Sequence, residues 1–230
     1  MNLATFRSRV ARVSGMSSSD TGDLQLIDGW VNDAVEQFLR ETKLNVATAS
    51  LAVTAGTADY TLDTDILAMQ ALWYAPTDGQ SALMIPLAPE TLVQRRLFES
   101  GENTPPRYYA LAGANTLMLW PTPQGSSERI HILYVPRHTA LSSTADTPSA
   151  TANGNIPAEY HSILEAYAKW KACEAEEHKP SENGQVFLRE WQNGVMDVKG
   201  AIKKKAGMNV PTVRIGRPRN LPAAPGVDVR

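Results

Sequence analysis

Four histidines and one cysteine are the residues of this chain that could ligate a metal or attack a carbonyl. The histidines are His131, His138, His161 and His178. A helical metal site needs ligands one turn apart on one face, as in His-Glu-x-x-His or Glu-x-x-His. Neither pattern occurs, because Ala158 and Ala175 stand three residues before His161 and His178. Glu174 and His178 are four apart, beside Glu176 and Glu177, a spacing that describes a charged, solvated helix end. Cys173 sits among acidic residues, which raise a thiol pKa and make it a structural group rather than a nucleophile. His131 alternates with Ile130 and Ile132, the place of a surface or interface histidine on a strand. No Gly-rich phosphate loop and no Gly-x-Ser-x-Gly elbow is present. Trp30, Trp73, Trp120, Trp170 and Trp191 are spread one per element, as core and interface anchors rather than a stacking platform for single-stranded nucleic acid. The expectation is a protein that is not an enzyme and carries no cofactor or metal.

The strongest chemical signal is charge. From Lys199 to the C-terminus there are eight basic residues opposed only by Asp228, a net +7, while the rest of the chain holds 14 basic and 23 acidic residues, a net −9. Pro211, Pro218, Pro222 and Pro225 favour an extended arm, and at about 3 Å per residue such an arm spans tens of ångströms. Arginines on it can pair with carboxylates or phosphates once a partner orders it. The candidate partner-binding residues are Lys203, Lys204, Lys205, Arg214, Arg217, Arg219 and Arg230. A solubilising terminus and a DNA-binding module using this basic end are the competing readings.

The elements that must carry these groups follow from periodicity. Leu3, Phe6, Val10 and Val13 recur at helical spacing, and Asp20 or Thr21 can cap a second helix over about 23–43 whose apolar face runs from Leu24 to Leu39. Ser50–Thr54 and Thr57–Leu62, broken by Ala55-Gly56, read as a hairpin. Ile66–Tyr74 and Leu83–Pro86 read as further strands. Pro89–Glu99 reads as a short helix with Leu92, Leu97 and Phe98 as its apolar contacts. Arg107–Leu111, Thr116–Trp120 and Arg129–Val135 read as a three-stranded meander without reactive groups. Thr139–Asn155 is a long polar loop, able to move or to contact a neighbour. Two helices follow, to about His178 and Lys205, with Phe187, Trp191, Val195, Val198 and Ile202 expected to pack on Tyr160, Leu164 and Tyr167.

The expected fold is therefore α+β. A helical bundle forms from both ends of the chain (1–47 and 156–206), with an inserted antiparallel β domain (48–138), a loop (139–155) and an extended basic arm (207–230). Hydrophobic residues make up 43% and charged residues 20%, enough for a real core. A single cysteine excludes an internal disulfide framework, and no apolar run is long enough for a membrane span or a signal core. Synthesis in a reducing cytoplasm is expected.

Four segments resemble the head–tail connector (adaptor) proteins of tailed bacteriophages. Trp30-Val31-Asn32-Asp33-Ala34, running to Phe38-Leu39-Arg40-Glu41-Thr42, resembles their first long helix. Gly56-Thr57-Ala58-Asp59-Tyr60-Thr61-Leu62 with Asp65 resembles their Tyr-x-Leu-Pro-x-Asp segment, with Asp63 where proline is usual. Leu117-Met118-Leu119-Trp120-Pro121-Thr122-Pro123 and Ile132-Leu133-Tyr134-Val135-Pro136 resemble their paired strands. Ile156-Pro157-Ala158-Glu159-Tyr160-His161 resembles the start of their late helix pair. The resemblance implies a virion neck protein between capsid and tail. It implies a homo-oligomeric ring of twelve copies beneath the portal protein, with a downstream neck, tail or nozzle protein on its other face. Genomic DNA would pass through the lumen, and no membrane is involved. The family has no active site to carry over.

Overall fold

The computed structural model of the chain describes residues 1–77, 81–99, 104–113, 115–177 and 182–205. Its first helix, α1, spans Leu3–Ser14, capped by the Asn2 side chain and closed by Gly15 at φ 76°, a left-handed conformation that suits glycine. The Asp20 carboxylate accepts from the Gly22 and Asp23 amides and starts α2, Thr21–Thr42. The late helices are α4, His161–Glu177, entered through a 3₁₀ turn at Ala158–Tyr160, and α5, Glu182–Lys205. These four helices share one core built on Leu3, Phe6, Ile27, Phe38, Leu164, Tyr167 and Trp191. As expected from the spacing, Trp191, Val195 and Val198 form the buried stripe of α5.

Among the described residues eight strands lie between α2 and α4: β1 Ala47–Ala52, β2 Asp59–Thr61, β3 Ile66–Ala75, β4 Ala82–Leu83, β5 Ile85–Pro86, β6 Tyr108–Ala112, β7 Thr116–Trp120 and β8 Arg129–Pro136. A short helix, α3, spans Pro89–Phe98, with Pro89 in its first turn. The strands make two four-stranded sheets, ordered β1-β8-β3-β4 and β2-β7-β6-β5. Leu72, Tyr74, Ile130 and Ile132 of the first sheet meet Tyr109, Leu117 and Leu119 of the second in a shared core. From the end of the first sheet, Val135, Leu67 and Ala68 join the core of the helical bundle.

Three expectations change here. The turn at Ala55-Gly56 exists, with Thr57 N–H bonded to Thr54 O and Gly56 at φ 77°. Its flanking strands do not pair, however: β1 pairs with β8 and β2 with β7, so the turn is a crossing between sheets rather than a hairpin. The meander is also broken. β6 and β7 pair, but β8 leaves them and lies between β1 and β3 in the other sheet. The segment Leu83–Pro86 divides at buried Met84, pairing β4 with β3 and β5 with β6. The β5–β6 pair is parallel, so the inserted region is mixed rather than wholly antiparallel.

Strand β7 is covered on both faces. Leu117, Met118 and Leu119 are all buried, because one face meets the first sheet and the other meets α3. Leu92 of α3 packs with Ala110 and Met118 on that outer face. Arg96 fixes the helix there, donating to Ala58 O, Leu119 O and Asp59 Oδ1. Leu97 and Phe98, expected as apolar contacts of the helix, instead face solvent. They follow Leu92 by five and six residues, about 140° and 240° around the helix, so they turn away from the sheet that Leu92 meets.

The long loop is ordered. Its Asp146 and Thr144 carbonyls accept from Leu3 and Ala4, and Asn32 of α2 holds Leu141 by its side-chain amide and its carbonyl oxygen. A 3₁₀ turn at Thr151–Asn153 and a bond from the Asn45 side chain to Gly154 O seat the rest against α2 and its exit.

Candidate functional site

The structure places the candidate residues apart. Lys203, Lys204 and Lys205 form the exposed last turn of α5, where cations are favoured by the helix dipole. Arg214, Arg217, Arg219 and Arg230 lie outside the described residues. His178 also lies outside them, so the Glu174–His178 pair has no described geometry.

Glu174 accepts from Trp170 Nε1 at 2.8 Å and lies 3.5 Å from Lys171 Nζ, which stacks 3.9 Å above the Trp170 ring. Cys173 is buried in α4 and forms no disulfide. His131 is exposed on β8, in register with Trp73 and Ser50. Among the described residues no three His, Cys, Asp or Glu side chains are grouped to hold a metal ion.

His161 is buried at the start of α4. Its Nδ1 lies 2.6 Å from the Met1 amino group, and its Nε2 lies 3.0 Å from Ser149 Oγ and 3.2 Å from Ile156 O. Donation from Nε2–H to the Ile156 carbonyl leaves Nδ1 to accept from the amine. Burial pushes this imidazole pKa below its ordinary value, the nearby amino charge pushes the same way, and the Ile156 carbonyl opposes them. His161 therefore ties the N-terminal helix, the long loop and α4 together as a neutral group.

His138 occupies the seam between the bundle and the first sheet. It lines a cavity of about 490 Å³ with Leu39, Asn45, Arg137, Thr139 and Asn155. Both of its ring nitrogens are inaccessible and have no hydrogen-bond partner among the described residues. Burial lowers its pKa, Glu36 opposes this, and Arg137 adds to it. Glu36 is already held by Arg40 at 2.9 Å and Arg137 at 3.6 Å.

Other ion pairs serve the layers. Arg7 reaches Asp28 through two bonds of 2.7 and 2.5 Å, joining α1 to α2. Glu165, almost fully buried on α4, is held by Arg9 at 3.0 Å and Lys169 at 2.6 Å. Each of these charges is compensated by a partner on a neighbouring turn or helix, which is what a buried carboxylate requires.

The surface that sequence reasoning missed belongs to α3 and its sheet. Leu97 and Phe98 are 72% and 83% exposed. Leu83, Ile85, Val93 and Leu111 are also exposed in the same part of the chain. Beside them the Arg95 guanidinium lies 4.7 Å from the Tyr108 ring centre and 5.4 Å from that of Trp120. Relative to buried Leu92, the helical period itself turns Leu97 and Phe98 away from the sheet, about 140° and 240° around α3.

This architecture defines an α+β protein whose buried ionisable groups hold its layers together. The family model of the SU10 adaptor protein matches residues 1–215. The chain belongs to that family and is a bacteriophage structural adaptor protein, a component of the virion. No curated protein matches the chain. Among the described residues no helix is long and apolar enough to cross a membrane.

Proposed function

We propose that this protein is the head-to-tail adaptor of its virus, a ring between the portal protein and the next neck, tail or nozzle protein. The observation that carries the reading is membership of the adaptor family over residues 1–215. Support comes from the exposed apolar side chains of α3 and its sheet, which a lone soluble chain gains nothing by displaying. Twelve copies match the symmetry of the portal, and the ring encloses the path of the DNA. The net −9 outside the last 32 residues suits a lumen through which a duplex slides, because few phosphates are neutralised there.

The basic end, Lys203–Lys205 with Arg214, Arg217, Arg219 and Arg230, docks on the portal or on a neighbouring subunit in this reading. Microscopy of the protein mixed with its portal tests it. An added ring layer is the expected result, and images of the bare portal would sink the proposal. The competing DNA-binding reading makes a separate demand: salt-sensitive duplex binding by the isolated chain, lost on truncation at Gly207.

A further inference from the structure

We propose that the α3 face is a docking surface for a segment of another virion protein, one that carries a carboxylate flanked by apolar side chains. The assignment rests on the adaptor reading above and adds the surface and the chemistry of its occupant.

The layers dictate the position. The bundle core meets the end of the first sheet, the second sheet packs on the first, and α3 covers the far face of the second. The C-terminal end of α3 is therefore separated from the bundle by two sheets, and Lys203–Lys205 close a bundle helix. A surface there can engage a different partner from the one the basic end takes.

The chemistry comes from a cleft of about 320 Å³ lined by Arg95, Thr104, Arg107, Tyr108, Trp120 and Pro121. Tyr108 and Trp120 stack 5.7 Å apart, and Arg95 lies over both rings, which fixes its planar fork at the cleft wall. Arg95 is tied on one side to Glu99 at 3.2 Å. Arg107 is exposed and forms no ion pair among the described residues. Its carbonyl receives the Ile85 amide at 2.8 Å, so an exposed isoleucine stands at the cleft rim. Phe98 stands three residues after Arg95, on the neighbouring turn of α3, and Leu97 and Phe98 are the two most exposed large apolar side chains described. A guanidinium pair, one member of which has no ion partner among the described residues, framed by aromatic and aliphatic groups, complements a carboxylate set between apolar side chains. Nucleic acid is the poorer fit, because phosphate offers nothing to cover Leu97, Phe98 and Ile85.

The test uses the full chain, Phe98→Asp and Arg107→Glu, both at exposed positions. Each is applied to an array of peptides tiling the other proteins of the same virion, and each is imaged with the portal. Wild-type chain should bind a small set of peptides that share an Asp or Glu between apolar residues. Either variant should weaken that binding about tenfold or more while leaving the thermal midpoint unchanged. The portal-bound ring layer should persist in both variants. No binding peptide, binders without a carboxylate, or binding that ignores both substitutions would overturn the assignment while an intact ring layer leaves the adaptor reading standing. Altered self-association, or loss of binding to a 30-base-pair duplex probe, would equally overturn it by naming a second copy or DNA as the occupant.

Discussion

Trp191→Ala is the sharpest probe of how the late helices are joined to the early ones. Trp191 is 4% exposed and sits where α2, α4 and α5 meet. Its ring stands edge-on to Tyr167, with centres 4.9 Å apart and planes at 63°, and edge-on to Phe38 at 6.2 Å and 61°. Truncation removes the indole and leaves Phe38 and Tyr167 facing a cavity that three packed helices cannot close. Large-to-small changes of this kind cost about 3–5 kcal/mol, which already includes the roughly 0.5–1.5 kcal/mol of each aromatic pair. Urea unfolding followed by far-ultraviolet circular dichroism measures it, with an unchanged slope confirming that only the midpoint moved. Phe98→Ala is the control, since an 83% exposed side chain should change stability by less than about 0.5 kcal/mol. A Trp191→Ala loss below about 1 kcal/mol would refute the packing argument, because such a value belongs to a surface position.

Four further outcomes follow from particular positions. A Cβ at Gly194 would lie 2.7 Å from Ile163 Cγ1, so Gly194→Ala should destabilise by about 1–3 kcal/mol through overpacking. Gly200→Ala, with open space around its Cβ, should stabilise by about 0.5–1 kcal/mol; thermal denaturation of the pair decides both. Asn32→Ala removes both bonds to Leu141 and should cost about 1–2 kcal/mol, with faster proteolytic cleavage in 139–155 as the second readout. His161 and His138 have pKa values lowered by folding, so the unfolded chain binds more protons than the native one just below the ordinary histidine value. Their contribution is therefore complete above about pH 6.5 and is lost as pH falls through the lowered folded values. Urea midpoints taken from pH 8 to pH 5 should decline across that window, and His161→Asn should flatten the decline; an unchanged slope for that variant would exclude the histidine.

Much of the helical part was legible in the residues alone, because helices are written in local periodicity and caps. Asp20 starts α2 with its own side chain, Gly15 closes α1, and the spacing of Trp191, Val195 and Val198 marks the buried side of α5. Strand existence was legible for the same reason, but strand partners were not. Nothing within Asp59–Thr61 says that it pairs with Thr116–Met118 rather than with Ala47–Ala52 across a turn that looks like a hairpin. The functional readings divide along the same line. Charge in the last turn of α5 could be counted from the composition, whereas the exposure of Leu97 and Phe98 depends on Leu92 being the residue that α3 turns to the sheet.

By itself the sequence determined the secondary elements, the asymmetry of charge and the adaptor resemblance, since each rests on residues close together or on a sum over residues. The tertiary structure alone decided that β8 crosses to lie between β1 and β3, that Met84 divides one extended segment between two sheets, and that the long loop is bonded to α1 and α2. It also decided that His161 is a buried tie and His138 an unpartnered group at a seam. Those outcomes depend on which distant surfaces meet, and the free energy that selects them is the burial of Ile130, Ile132, Leu117 and Leu119 against one another. That term is shared across the whole sandwich, and no short stretch of residues contains it.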